Sequence, residues 1–176
     1  MHLSDPVDPA DPAIPADSAD PPELARPGGS LIRPAVESDV PGIARLEQIC
    51  FSDPWSEATL FRDLTENPAA HYLVAVALDH LLIGYIVWWQ VFDEAEIINL
   101  AVSPEQRGKG VGRLLLSCMI DEVRRAGASV IHLDVRESNQ PARHLYEQAG
   151  FHQTGMRMGY YANDQENAIT MLKRVT

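Results

Sequence analysis

The chain has 176 residues, a hydrophobic content of 45% and a formal net charge of −11 at pH 7. This length suits one ordinary domain with an extension, and no apolar run reaches the roughly 18 residues of a membrane span. The acidic balance argues against a dedicated nucleic-acid binder, which would carry a basic stripe, and it is compatible with a cationic partner.

Residues 1–29 differ in composition from the rest of the chain. They hold seven of the 13 prolines, six acidic residues and one arginine. Proline and aspartate disfavour helix and sheet, and little apolar surface is present to offset the entropy cost of ordering. We therefore predict a disordered acidic arm over residues 1–29 and one folded domain over residues 30–176. The arm could serve solubility, autoinhibition or partner binding, or it could be inert.

The N-terminus has no basic region followed by an apolar stretch, so we expect no secretory signal. The two cysteines, Cys50 and Cys118, fall within apolar helical patterns, and no metal-ligand spacing such as CxxC or HExxH occurs. We expect buried thiols in a reducing compartment, no bound metal and a cytoplasmic protein.

The folded part begins with a predicted strand over residues 31–35, near a sheet edge because it contains Pro34. Asp39 is expected to cap a helix running to about Cys50, and Ser56 a second helix running to about Glu66. The predicted apolar side of the first helix comprises Val40, Ile43, Ala44, Leu46 and Ile49.

Three stretches rich in β-branched and aromatic residues follow, separated by short turns, and they predict an antiparallel meander. These strands span residues 72–78, 81–91 and 94–102. Then come a helix over residues 110–126 with Gly127 as its C-terminal cap, a strand over 130–135, a helix over 140–149 capped by Asn139, and strands over 151–160 and 168–173. The order βααβββαβαββ predicts a mixed α/β sheet with helices on both faces.

A glycine-rich turn, Arg107-Gly108-Lys109-Gly110-Val111-Gly112, connects a buried strand to a helix. The first helical turn has N–H groups without partners, its dipole favours negative charge, and glycines let the backbone approach a phosphate. Arg107, Lys109 and Arg113 add cationic side chains. The pattern indicates an anion site, although a tight connection without a ligand would carry the same glycines. The spacing matches neither the nucleotide P-loop nor the dinucleotide fingerprint.

The motif Arg107-x-x-Gly110-x-Gly112, placed after Leu100-Ala101-Val102, resembles the acyl-CoA-binding motif of the GNAT N-acetyltransferases. Residues 134–139, 145–151 and 160–161, with Pro54-Trp55-Ser56 upstream, resemble the ribosomal-protein alanine N-acetyltransferases of that superfamily. The similarity covers about residues 30–176. It implies a GNAT-type, mostly antiparallel central sheet flanked by helices on both faces, with acetyl-CoA as the co-substrate.

The resemblance also implies which residues bind acetyl-CoA. In that family the turn grips the pyrophosphate, and the preceding strand binds the pantetheine arm and acetyl carbonyl through its backbone. The implied residues are Leu100, Ala101, Val102, Arg107, Gly108, Lys109, Gly110, Val111, Gly112, Arg113 and Asn139. The strand residues could equally serve the core, and Asn139 the helix cap.

Two residues occupy catalytic positions of the family. Tyr146 stands where a tyrosine protonates the departing coenzyme A thiolate, and a phenol with a pKa near 10 can donate to a thiolate whose parent thiol has a pKa near 8.5. Asp134 stands at the general-base position, where the alanine N-acetyltransferases have glutamate. Glu137 is an alternative base. We expect direct attack of an amine, with no covalent enzyme intermediate, because the sequence places no nucleophilic Cys or Ser near a histidine base.

The implied acceptor is a protein N-terminus, foremost the N-terminal alanine of a small-subunit ribosomal protein. A lysine or small-molecule amine, or a non-catalytic acyl-CoA sensor, remain alternatives. Direct nucleic-acid and membrane partners are not expected. Trp55, Tyr160 and Tyr161 fall where the family places residues near the acceptor, and each could instead be a packing residue. The acidic residues that could attract a cationic acceptor, or simply be solvated charges, are Asp93, Glu94, Glu96 and Glu137.

Overall fold

The computed structural model describes residues 29–175, and residues 1–28 and 176 lie outside the described part. The predicted acidic arm, apart from Gly29, is therefore outside the described residues. Within the described range, no helix is both long and apolar enough to cross a membrane.

One sheet organises the described residues. Its strands are β1 (Leu31–Pro34), β2 (Ala70–Val76), β3 (Leu82–Val91), β4 (Glu94–Val102), β5 (Val130–Arg136), β6 (His152–Tyr161) and β7 (Glu166–Arg174). The helices are α1 (Val40–Cys50), α2 (Glu57–Glu66), α3 (Val111–Arg125) and α4 (Gln140–Gln148), with two short 3₁₀ turns at Glu37–Asp39 and Pro104–Gln106. The sheet has seven strands in the order β1-β2-β3-β4-β5-β7-β6. Only β4 and β5 run parallel, and the other neighbouring pairs are antiparallel.

Two apolar clusters cover opposite faces of this sheet. On one face, Leu115 and Met119 of α3 pack with Ile86 of β3. On the other face, Ile43 of α1 packs with Val87 of β3. The neighbours Ile86 and Val87 serve different clusters because successive side chains of a strand point to opposite faces. The predicted mostly antiparallel sheet with helices on both faces is confirmed.

Three of the predicted helix boundaries follow the expected local chemistry. The Ser56 hydroxyl accepts the Thr59 N–H at 3.1 Å at the start of α2. The Asn139 side-chain oxygen accepts the Ala142 N–H at 3.2 Å at the start of α4. Gly127, at φ +87°, follows the end of α3 in the left-handed conformation that glycine adopts without strain.

The prediction that Asp39 caps α1 is wrong. Its backbone is helical and its side chain makes no capping bond to α1. The carboxylate instead accepts the Val36 N–H at 2.8 Å and the two guanidinium nitrogens of Arg33 at 2.6 and 2.8 Å. The 3₁₀ turn Glu37–Asp39 leads directly into α1, so the helical segment as a whole begins before Asp39. The N–H group that needs an acceptor at its start is therefore that of Val36, and Asp39 supplies this acceptor.

Two further burial predictions need correction. Ile49 is 54% exposed, whereas Glu47 on the same helix is fully buried. Position 47 follows Ile43 by four residues and lies on its stripe, and position 49 falls off that stripe. Cys50 and Cys118 are free thiols, as expected, but both are only partly buried.

Candidate active site

The parallel strands β4 and β5 separate halfway along their length. Residues 94–97 pair with residues 130–133. Beyond that point, residues 99–102 pair with β3 and residues 134–136 with β7. Beyond residues 97 and 133, the facing edges of β4 and β5 do not pair with each other, so backbone N–H and C=O groups there are available for hydrogen bonds. The open wedge between the strands can therefore bind a ligand through its backbone.

A β-bulge marks the point of separation. Val87 pairs with Asn99 and Trp88 with Ile97, which leaves Ile98 without a direct partner. After the bulge, Leu100 packs against the cluster that contains α3. Asn99 instead faces α1, where its side-chain amide donates to Glu47 Oε1 at 2.9 Å.

The glycine turn is built around two residues with positive φ. Gly108 has φ +73° and Gly110 has φ +89°, and a Cβ at either position would meet no atom within 4 Å. Backbone conformation, rather than crowding, therefore favours glycine here. The α3 helix begins directly after Gly110 without a side-chain cap, so the N–H groups of its first turn remain available to an anion.

A cavity of about 580 Å³, called here the glycine-turn cavity, extends from this turn along the free end of β4 to α4. It brings together ten of the eleven residues that the sequence predicted for coenzyme binding. Those ten are Leu100, Ala101, Val102, Arg107, Gly108, Gly110, Val111, Gly112, Arg113 and Asn139. Lys109 does not line this cavity, and its amino group donates to Gln106 Oε1 at 3.3 Å.

The cavity has walls that the sequence did not predict, contributed by the end of α1, by the 3₁₀ turn before the glycine turn and by α4. The residues missed are Cys50, Phe51, Gln106, Pro141, Ala142, His144, Leu145 and Gln148. The sequence predicted a helix over residues 140–149, but it implied a coenzyme contact only for the cap of this helix, Asn139. The Arg113 guanidinium donates to Gln148 Oε1 at 3.2 Å, which ties α3 to α4 across this cavity.

Arg107 braces the free end of β4. Its Nε donates to the Val102 carbonyl at 3.1 Å, and its Nη2 lies 3.5 Å from Cys50 Sγ. One end of the cavity thus offers free helical N–H groups and arginines, and the other end offers an apolar strand with an open backbone edge. This combination fits a ligand with a diphosphate and an extended amide-containing chain, as in acetyl-CoA.

The predicted base, Asp134, lies on β5 where the wedge opens. Its Oδ1 accepts the Thr170 hydroxyl at 2.8 Å, and its Oδ2 accepts Arg157 Nη1 at 2.6 Å. The hydrogen bond to Asp134 raises the pKa of the Arg157 guanidinium. Arg157 also lies over the Tyr160 ring, 4.8 Å from its centroid. The Asp134 carboxylate is therefore held in a fixed orientation but is already engaged by a cation.

Asp134 lines a second cavity of about 480 Å³, the β4–β5 cavity, which lies over the paired halves of these strands. Its other lining residues are Trp89, Val91, Glu94, Ala95, Glu96, His132, Leu133, Arg157 and Thr170. Glu94 and Glu96, which the sequence suggested for attracting a cation, are thus beside the predicted base. Glu137 is outside this cavity, and its Oε2 accepts the Asn167 amide at 2.9 Å.

The predicted acid, Tyr146, is on α4 and is only 6% exposed. Its ring packs edge-on against Phe151, with 5.6 Å between centroids. Burial, reinforced by the neighbouring Tyr161, raises the pKa of the Tyr146 phenol above its usual value, so this phenol keeps its proton. Asp134 in turn contributes to raising the pKa of Tyr161, behind burial as the main cause.

Two loops meet near the open end of the wedge. The Asn163 amide, between β6 and β7, donates to the Ser52 hydroxyl, between α1 and α2, at 3.3 Å. Trp55 belongs to the same α1–α2 loop, is half-buried, and donates its backbone N–H to Glu47 Oε2 at 2.7 Å. Tyr161 packs under the Arg136 guanidinium, which is 3.8 Å from the ring centroid.

Comparisons with known proteins agree with this geometry. The chain is 36% identical over 137 residues to a ribosomal protein bS18-alanine N-acetyltransferase of Salmonella typhimurium strain LT2, covering 76% of this chain and 90% of that protein. The crystal structure of the Escherichia coli ribosomal-protein-S18-alanine N-acetyltransferase superposes with a TM-score of 0.77 at 30% identity, covering 84% of this chain and 94% of that one.

A NatC complex solved with a Gag peptide and CoA has a chain that superposes with a TM-score of 0.74 at 26% identity, covering 84% of this chain and 99% of that one. The model of the acetyltransferase (GNAT) family matches residues 40–151. This match spans the α1–α2 loop, the open wedge, the glycine turn and α4, which confirms the resemblance seen in the sequence. The chain belongs to the acetyltransferase (GNAT) family, whose members use acetyl-CoA.

Proposed function

We propose that this protein transfers the acetyl group of acetyl-CoA to the α-amine of a protein N-terminus, foremost the N-terminal alanine of a bS18-type ribosomal protein. The observation that carries the proposal is the open wedge between β4 and β5. The glycine-turn cavity adjoins it along β4, and Asp134 stands on its β5 side. The relatives named as bS18-alanine N-acetyltransferases supply the acceptor.

The donor site follows from the glycine-turn cavity. The N–H groups at the start of α3, with Arg107 and Arg113, bind the pyrophosphate. The backbone of residues 100–102 binds the pantetheine arm, and its N–H groups polarise the acetyl carbonyl as negative charge develops on its oxygen. Acetyl-CoA supplies the thioester, and the side chain of Asn139 contacts the coenzyme beyond its role as the α4 cap.

The acceptor amine attacks from the β4–β5 cavity. A new N–C bond forms, the C–S bond breaks, one proton leaves the amine, and the sulfur receives one proton. Asp134 accepts the amine proton directly or through one water, and Tyr146 donates to the thiolate. The demand on the base is modest, because an α-amine has a pKa of about 7.7–8.0 and is partly neutral at physiological pH. A cytoplasmic location accompanies this function.

The test measures coenzyme A release from acetyl-CoA with two matched basic peptides. One peptide has a free N-terminal alanine and no lysine, and the other has a blocked N-terminus and one lysine. Release with only the first peptide supports the proposal, and varying its first residue then locates the preference. Release with only the lysine peptide would assign a side-chain acceptor. Acetyl-CoA binding without release on any amine would assign an acyl-CoA sensor.

A further inference from the structure

Glu47 is a fully buried carboxylate that the proposed chemistry does not use. It lies on α1 with 0% exposure, and among residues 29–175 no other charged residue is classed as buried. A charge in the core is strongly unfavourable unless hydrogen bonds compensate it, so its surroundings must supply donors.

Three donors from three different elements meet at this carboxylate. Oε1 accepts the Tyr85 hydroxyl of β3 in a short contact and the Asn99 side-chain amide of β4 at 2.9 Å. Oε2 accepts the Trp55 backbone N–H of the α1–α2 loop at 2.7 Å. Burial is the main cause of the raised pKa of Tyr85, and the negative charge of Glu47 is the next cause. The Tyr85 phenol therefore keeps its proton and remains a hydrogen-bond donor.

These contacts join the two halves of the candidate site. Asn99 directly follows the bulge at Ile98 and directly precedes residues 100–102, which line the glycine-turn cavity. Trp55 belongs to the loop whose Ser52 contacts Asn163 of the β6–β7 loop. One carboxylate therefore connects the strand assigned to the acyl donor with the loop beside the acceptor.

We propose that Glu47 is a positioning residue, which fixes the α1–α2 loop relative to the bulged end of β4 so that the acceptor amine meets the thioester in register. This inference rests on the proposed function. A loop displaced by about 1 Å would no longer hold the acceptor in its productive position, and such a misplacement can cost about 100-fold in kcat/KM for the acceptor. Glu47 acts through Trp55 and Asn99 and touches neither substrate.

Glutamine provides a discriminating replacement at this position. The glutamine oxygen can still accept the Trp55 N–H, and the glutamine NH₂ group can donate to the Tyr85 oxygen. If the side-chain amide of Asn99 rotates by 180°, the same NH₂ group can also donate to Asn99 Oδ1. Alanine provides none of these contacts. The proposal therefore predicts that Glu47→Gln recovers most of the function that Glu47→Ala loses.

The experiment uses the full chain, acetyl-CoA and the peptide with a free N-terminal alanine. Glu47→Ala is expected to lower kcat/KM for the peptide about 10- to 100-fold, mainly through KM, with the acetyl-CoA Kd unchanged within about twofold. Glu47→Gln is expected within about fivefold of the wild-type protein. Ile43→Val, buried on the same helix, is the matched control for loss of packing and should leave the peptide KM unchanged.

Hydrogen exchange gives a readout independent of turnover. In Glu47→Ala, the Trp55 amide loses its acceptor and should exchange faster, while the amides of the central strands keep their protection. An unchanged peptide KM in Glu47→Ala, or a Glu47→Gln variant as impaired as Glu47→Ala, overturns the proposal. If Glu47→Ala does not fold, Tyr85→Phe tests the positioning role instead, because phenylalanine fills the ring volume but removes one of the three donors to Glu47. It should raise the peptide KM severalfold, and an unchanged KM again overturns the proposal.

The two hypotheses fail separately. A wild-type protein that binds acetyl-CoA but acetylates no N-terminal amine refutes the proposed function. A wild-type protein that acetylates the peptide, with Glu47 variants that do so equally well, refutes only the positioning role.

Discussion

Asp134 and Arg157 form an ion pair at the opening of the wedge, with 2.6 Å between Oδ2 and Nη1. The carboxylate is 14% exposed and the guanidinium 56% exposed, so the cation comes from the solvent side. Thr170 holds the other carboxylate oxygen at 2.8 Å. An acceptor amine that uses Asp134 as its base must therefore share the carboxylate with Arg157 or displace the guanidinium from it.

Replacing Asp134 by asparagine tests its role as the base. Asparagine keeps the shape and can still accept from Thr170, but it cannot take a proton. We expect kcat to fall about 10²- to 10⁴-fold, with the acetyl-CoA Kd unchanged by calorimetry. Glu137→Gln is the matched control and should retain kcat. A retained kcat in Asp134→Asn, or an equal loss in Glu137→Gln, would contradict the assignment of Asp134 as the base.

Tyr146→Phe tests the general acid. Phenylalanine retains the edge-on contact with Phe151 but removes the proton donor, so turnover should fall about 10²- to 10⁴-fold while acetyl-CoA affinity stays the same. Since burial raises the pKa of Tyr146 above its usual value near 10, its ionisation cannot produce a loss of activity on the alkaline side below pH 10. Unchanged turnover in Tyr146→Phe would refute the acid role, and an alkaline limb near pH 8 that disappears in this variant would show that the pKa of Tyr146 is not raised.

Gly110→Ala tests the anion-binding turn. Alanine at φ +89° is strained by about 1–2 kcal/mol, and the relief of that strain should turn the first N–H groups of α3 away from the pyrophosphate. We expect the acetyl-CoA Kd to rise about tenfold or more. Gly127→Ala is a close control, because its φ is +87° and a Cβ there also meets nothing within 4 Å. It should cost similar stability while leaving the Kd unchanged, and equal effects on the Kd would exclude a local role for the turn.

The donor half of the site could be predicted from sequence because its chemistry is local. The strand end, the two positive-φ glycines and the helix start lie within residues 100–113, and ten of the eleven predicted residues share one cavity. Lys109 is the predicted residue that does not line the cavity, because no local sequence pattern determines the direction of a long, exposed side chain. Its side chain points to Gln106 instead.

The surroundings of the acceptor could not be predicted in the same way. Thr170 reaches Asp134 only because β5 pairs with β7, and Arg157 reaches it from β6, a strand further out. Such pairings join residues far apart in the chain and leave no local periodicity. Glu47 did leave a signal, since it falls on the apolar stripe of α1. Recognising it required knowing that Tyr85 and Asn99 face that helix.

The β4–β5 cavity leads to a prediction about acceptor charge. Glu94 and Glu96 line it beside Asp134, and Glu96 contributes to raising the pKa of Arg157. Residues 94–97 pair with residues 130–133, and Glu94 and Glu96, two residues apart on β4, are about 7 Å apart along the strand at a rise of about 3.3 Å per residue. An extended acceptor could therefore place two or three residues along the two carboxylates, and cationic residues there would be favoured.

The double variant Glu94→Gln, Glu96→Gln should raise the KM of a peptide with arginines at its second to fourth positions about 3- to 30-fold, while a neutral peptide with the same first alanine changes little. The difference should shrink between 50 and 500 mM salt, because exposed charges are screened. Glu147→Gln, an exposed carboxylate on α4 outside both cavities, is the matched control. Equal KM changes for the basic and neutral peptides would show that these carboxylates support the cavity structurally and do not select a cationic acceptor.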